Sequence, residues 1–197
     1  MYAHWTRIVL LEGYCGDNLY FILYADGGLE FSGYGDMTSH PWTKNYSKRV
    51  YEVSMPQEVT SLCTGAFEGC QYMMPFELPE IEVIPNSCFN MCETFESFSI
   101  PNSITKIGES AFRYCSSLSD IELSSNLEDL GALAFANTPV TTIRISKVTA
   151  QLPHPTQRKP SAEKPRACVL YVILILLLTV PVLFCLRWNL SVPRSTA

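Results

Sequence analysis

Between Val59 and Ser146 the apolar positions recur at a spacing of 22 or 23 residues. Aligning Phe67, Phe89, Phe112 and Phe135 places a small residue before each: Ala66, Cys88, Ala111 and Ala134. Three residues after each Phe come Cys70, Cys92, Cys115 and then Thr138. Upstream in each unit sit the pairs Val59/Leu62, Ile81/Ile84, Ile104/Ile107 and Leu127/Leu130. Downstream come Phe76/Leu78, Phe98/Ile100, Ile121/Leu123 and, one residue early, Ile143/Ile145. A period in this range is that of a solenoid. One such unit cannot bury both faces of its apolar rung, so each coil depends on its neighbours, and about three are needed for stability.

Within a unit, the alternation Leu118-Ser-Asp-Ile121-Glu-Leu123 predicts a strand with Ile121 and Leu123 inward. Stacked coils then give a short parallel ladder with Phe and Cys in columns behind it, because the same hole is filled by the same residue type in each rung. The outward positions of that ladder are Pro75 and Glu77, Ser97 and Ser99, Asp120 and Glu122, and Thr142 and Arg144. Glu77, Ser97, Ser99, Asp120, Glu122, Thr142 and Arg144 are therefore the candidate face for a protein ligand, since exposed solenoid ladders supply extended contact surfaces.

The flanks read differently. Leu19–Tyr24 and Leu29–Phe31 are strand-like runs joined by Asp26-Gly27-Gly28, a hairpin signal. Val53, Met55 and Pro56 repeat the spacing of Ile121, Leu123 and Ser124, so a partial coil is expected before Val59. Residues 1–58 thus read as a β-rich cap with a partial coil, and 59–146 as four repeats. Residues 147–166 hold Pro153, Pro155, Pro160 and Pro165 among polar and basic residues and read as a stalk in extended polyproline conformation. Ala167–Leu186 is a run of twenty residues without a charge. At about 1.5 Å per residue it matches the roughly 30 Å hydrocarbon core of a bilayer, so a transmembrane helix is expected over 167–186. Residues 187–197 form a short tail.

Charge changes the choice of partner. Residues 1–150 carry 18 acidic and 8 basic side chains, a net of −10. Nucleic acid is excluded, because phosphates would be repelled. Chemistry is sparse. His4, His40 and His154 lie outside the expected coils, and no nucleophile-elbow, zinc-helix or phosphate-loop motif occurs. Gly33-Tyr-Gly35 lacks the further glycine of a dinucleotide turn, and the adjacent Glu128 and Asp129 read as a solvated edge. No enzyme, metal site or cofactor is expected. The eight cysteines have no paired C-x-x-C spacing. Cys70, Cys92 and Cys115 read as small apolar packing residues, and Cys168 and Cys185 lie in the apolar run, where lipidation is one use of a thiol.

The unit Ile100-Pro-Asn-Ser-Ile104-Thr-Lys-Ile107-Gly-Glu-Ser-Ala-Phe112-Arg-Tyr-Cys115-Ser-Ser-Leu118-Ser-Asp-Ile121-Glu-Leu123 resembles the BspA-like leucine-rich repeat family. Cys15-Gly-Asp-Asn, Gly28-Leu-Glu-Phe31-Ser-Gly33-Tyr-Gly35-Asp-Met37 and Pro41-Trp42 are similar to the leader that often precedes such arrays. The resemblance covers about residues 15 to 146. It implies a leucine-rich-repeat-like solenoid, non-enzymatic protein binding, and display at the cell surface as an adhesion or antigen module. The flanking charges point the other way. Met1–Glu12 holds only a four-residue apolar run, shorter than a signal-peptide core. Arg158, Lys159, Lys164 and Arg166 precede the apolar run, against Arg187 and Arg194 after it, which by the positive-inside rule keeps the repeats in the cytoplasm as a tail-anchored scaffold. Two expectations therefore stand: a surface-displayed adhesion module, and an intracellular scaffold built on the same solenoid.

Overall fold

The computed structural model describes residues 7–145. Three strands open the chain: β1 (Val9–Tyr14), β2 (Leu19–Tyr24) and β3 (Gly28–Gly33) form an antiparallel meander. The expected hairpin is present between β2 and β3, with the Gly28 N–H donating to Asp26 Oδ1. The apolar run Ile8–Leu11 falls largely within β1. Two residues follow as β4 (Gly35–Asp36), then the helix α1 (Trp42–Tyr46), a 3-10 turn Ser47–Arg49 and β5 (Glu52–Ser54). β5 pairs in parallel with β3, Leu29 opposite Val53, so the cap passes its sheet edge to the first partial coil.

From there the chain winds as a β-solenoid of about five turns. β4 pairs in parallel with β6 (Val59–Ser61). The short strands β7 (Val83–Ile84), β9 (Lys106–Ile107) and β11 (Asp129–Leu130) form one parallel ladder along the axis. β8 (Ser97–Ser99), β10 (Asp120–Leu123) and β12 (Thr142–Ile145) form another. The alternation read over Leu118–Leu123 gives β10, with Ile121 and Leu123 buried and Asp120 and Glu122 half-buried.

The Phe column lies between the ladders. Phe67, Phe89, Phe112 and Phe135 are buried and stack with centroid spacings of 5.6, 5.2 and 5.3 Å and interplanar angles of 3°, 24° and 8°. Offset stacks of this kind add about 0.5–1.5 kcal/mol per pair beyond burial. Trp42 closes the N-terminal end of the column, 6.2 Å from Phe67, with its indole N–H donating to the Ala66 carbonyl at 2.9 Å. Phe21 and Phe31 of the cap pack edge-on against it. The cysteine column has a similar logic. Cys92 Sγ donates to the Phe67 carbonyl at 3.4 Å, and Cys115 Sγ donates to the Phe89 carbonyl at 3.2 Å, so each thiol ties its coil to the preceding one.

The Phe turn imposes one backbone demand. Gly65 and Gly69 have φ of 68° and 74°, and the equivalent residues in later coils, Ser87 and Met91, Ser110 and Tyr114, Leu133 and Asn137, have φ between 53° and 61°. This left-handed conformation aims their N–H groups along the axis: Gly69 donates to Asn90 O at 2.8 Å, Met91 to Arg113 O at 2.8 Å, and Tyr114 to Ala136 O at 3.0 Å. Side-chain-bearing residues accept the strain to keep those bonds. Close approach has its own requirement at Gly108 and Gly131, where a Cβ would lie 2.5 Å from Asn86 N and 2.4 Å from Glu109 N.

Two stability outcomes follow. Phe89 touches five other aromatic rings and Phe135 one. Phe89→Ala should cost roughly 3–5 kcal/mol in urea denaturation, and Phe135→Ala less. Leu133 is 40% exposed at a φ of 59°, so Leu133→Gly should raise stability by about 1 kcal/mol by releasing left-handed strain.

Candidate protein-binding ladder

The parallel register brings most of the predicted face together. Ser97, Asp120 and Thr142 lie side by side, as do Ser99, Glu122 and Arg144. Ser97, Ser99, Thr142 and Arg144 are exposed, while Asp120 and Glu122 are half-buried between their neighbours. The face is less acidic than its composition suggests. Arg144 Nη2 donates to Asp120 Oδ2 at 2.8 Å across the two strands, whereas Asp120 Oδ1 is buried without a hydrogen-bond partner.

Glu77 and Pro75 stand apart. The segment 75–79 has the sequence position of a ladder strand but forms none, and among the described residues no strand pairing joins it to β8. Pro75 and Pro79 each lack the N–H that a ladder strand donates, which accounts for the interruption. Two open depressions flank it, of about 870 and 670 Å³, and both are lined by Pro75 and Ser97. Near the second, Tyr51 and Tyr72 stack at 6.0 Å with their rings 19° apart, and the Met74 side chain is exposed. These aromatic residues were not singled out by the periodicity, because they lie between the repeated positions.

Other polar groups have structural partners. His40 Nδ1 lies 2.7 Å from Thr43 Oγ1 at the start of α1, and Lys106 pairs with Asp129 at 2.7 Å. Asp36 accepts from Thr60 and Ser61 Oγ, each at 2.7 Å, which holds its carboxyl below the usual range. Among the described residues no three His, Cys, Asp or Glu side chains gather in a group able to hold a metal. His4, His154, Cys168 and Cys185 lie outside the described residues, as do the expected stalk and membrane run. No described helix is long and apolar enough to cross a membrane.

Burial governs the thiols. Removal from water pushes Cys70 and Cys115 up to about 12, and half-exposed Cys63 to about 11. Their protonated forms therefore stabilise the fold. That contribution is complete below the ordinary thiol range near 9 and is lost as pH rises towards 12. At pH 8, alkylation followed by mass spectrometry should mark Cys63 first, with Cys70 and Cys115 modified only at the rate of unfolding.

Stacked short coils with inward Phe and Cys columns define a leucine-rich-repeat-type solenoid. The family model described as a BspA type leucine rich repeat region matches residues 44–154 in six copies. The chain belongs to this family. The match starts within α1, upstream of β5 and of the four full repeats, and runs past β12. A leucine-rich repeat protein from Bacteroides ovatus superposes with a TM-score of 0.55 at 16% identity, covering 73% of this chain and 41% of that one. A leucine rich cell surface protein from Faecalibacterium prausnitzii gives 0.49 at 25% identity, covering 70% and 40%. The T. pallidum leucine rich repeat protein gives 0.49 at 20% identity, covering 62% and 66%. The chain thus spans about two fifths of the length of the first two structures. No curated protein matches it.

Proposed function

We propose that this chain is a non-enzymatic, membrane-anchored repeat protein of the cell surface, which binds other proteins through the outward face of β8, β10 and β12. The observation that carries this reading is the register: six polar side chains in two rows on a paired, rigid ladder. Such a ladder needs little ordering on binding, which favours recognition. Family membership supports an interaction scaffold, although fold alone does not fix a partner. The uncharged run Ala167–Leu186 supports the anchor, and the Pro-rich residues 147–166 would hold the solenoid clear of the bilayer.

A second reading keeps the same ladder inside the cell. Its support is the basic excess before the apolar run, Arg158, Lys159, Lys164 and Arg166 against Arg187 and Arg194 after it. Protease treatment of intact cells separates the two: loss of an anti-repeat antibody signal is expected for display, and protection until permeabilisation would establish the intracellular scaffold.

For the ladder itself, a photo-crosslinking residue placed at Ser99 or Thr142 of the full chain should give partner adducts in cells. The same residue at Met91 or Leu133, exposed on the Phe-turn side, should give none. Equal adducts from both sides, or none from either, would reject the ladder as the binding face.

A further inference from the structure

The interruption at residues 75–79 leaves part of the ladder unpaired. Upstream, the Met74 N–H still donates to the Tyr51 carbonyl at 2.8 Å. Downstream, Ile100 N–H donates to Glu122 O at 2.7 Å and Ser119 N–H to Glu96 O at 3.0 Å, so the even-numbered residues of this strand address β10. In a parallel pair, alternate residues send both backbone groups to opposite sides. The N–H and C=O groups of Ser97 and Ser99 therefore point into the break, where no backbone bond from 75–79 meets them among the described residues.

The surroundings set the chemistry of what fits there. Glu77 and Glu80 line the first depression, Glu93 and Glu96 the second, and no Lys, Arg or His lines either. All four carboxylates are on exposed residues. The apolar part of the lining includes Phe76, Leu78 and Phe98 on one side, and Tyr72 and Met74 on the other. An unpaired strand edge, a rim of one sign and apolar patches between them suit an extended chain with basic side chains, whose alkyl stems lie on the apolar floor while their charges reach the rim. A second copy of this acidic solenoid would meet repulsion at the same rim.

We propose that the break is a docking groove for an extended, cationic segment of a partner protein, added as a strand to the β8 edge with Lys or Arg side chains facing Glu77, Glu80, Glu93 and Glu96. This rests on the ladder being a protein-binding face, and it names the partner's chemistry and the place where it enters.

The test uses the full chain and a fluorescein-labelled nonapeptide alternating Lys and Val, with comparison peptides and variants read by fluorescence anisotropy. The Lys peptide binds, and its Glu counterpart does not. Methylating alternate backbone amides of the Lys peptide, on the edge that faces β8, weakens binding at least tenfold, because those N–H donors are lost. The double variant Glu77→Lys with Glu80→Lys weakens it at least tenfold, whereas Glu109→Lys, exposed on the Phe-turn side, leaves it within twofold; Glu122→Lys, on the paired ladder, is measured beside them. Absence of binding by the Lys peptide, or indifference to amide methylation, overturns strand addition. If Glu122→Lys is the damaging change and the double variant is not, the paired ladder stays the binding face and the groove is rejected. Tighter peptide binding after Arg158, Lys159, Lys164 and Arg166 are replaced by Ser would make this chain's own basic segment the occupant and overturn assignment to a partner.

Discussion

Everything in this solenoid hangs on the junction between successive Phe turns. At each one a backbone N–H in the left-handed region crosses to the next coil, while a Phe ring stacks on its equivalent 5.2–5.6 Å away. The two requirements fix each other. The ring sets the spacing at which the carbonyl is met, and the crossing bond prevents the ring from sliding out of its column. A small residue must precede each Phe because the coils approach closely there, and Ala66, Cys88, Ala111 and Ala134 are all buried. Local strain at Met91 and Tyr114 is tolerated because an unmade backbone bond in that turn costs about as much or more.

A column of this kind needs an end. At the N-terminus the end is aromatic as well: Trp42 covers Phe67 and is itself enclosed by Phe21 and Phe31. The cap is continuous with the solenoid, since β3 pairs with β5 and β4 with β6 in the parallel sense of the repeats. The meander therefore does two jobs, closing the apolar column and supplying the strand edge on which β5 pairs.

Much of this could be read from the sequence because solenoid physics repeats itself. A buried rung selects the same residue type in each coil, so the Phe, Cys and small-residue columns stood out, and the inward and outward positions of β10 followed from a two-residue alternation. The ladder of β7, β9 and β11 was harder to see, since two-residue strands such as Val83–Ile84 are too short to show a period. The helix at Trp42 and the strand Val9–Tyr14 occur once and have no repeat to expose them. The left-handed turn positions were hidden for a different reason. What they share is a φ angle, and Gly, Ser, Met, Tyr, Leu and Asn all occupy them. The charge of the candidate face is not legible either, because a composition shows Asp120 and Arg144 but not that they neutralise each other across two strands.

Size links the ladder to its interruption. Three strands at about 4.8 Å spacing, each with two outward residues some 7 Å apart, present a flat patch of only about 100 Å². A stable protein interface buries about 800 Å² on each side. A partner centred on the paired ladder must therefore also cover neighbouring surface. On the side of β12 the face ends in the Asp120–Arg144 pair, which already satisfies its own charges. On the other side lie the proline-broken segment, four exposed carboxylates and the stacked tyrosines Tyr51 and Tyr72. Regular coils give this protein its stiffness, but their outward faces are small and chemically plain. The coil that breaks the pattern offers unpaired backbone, relief and uncompensated charge in one place, so recognition is best served where the repeat fails.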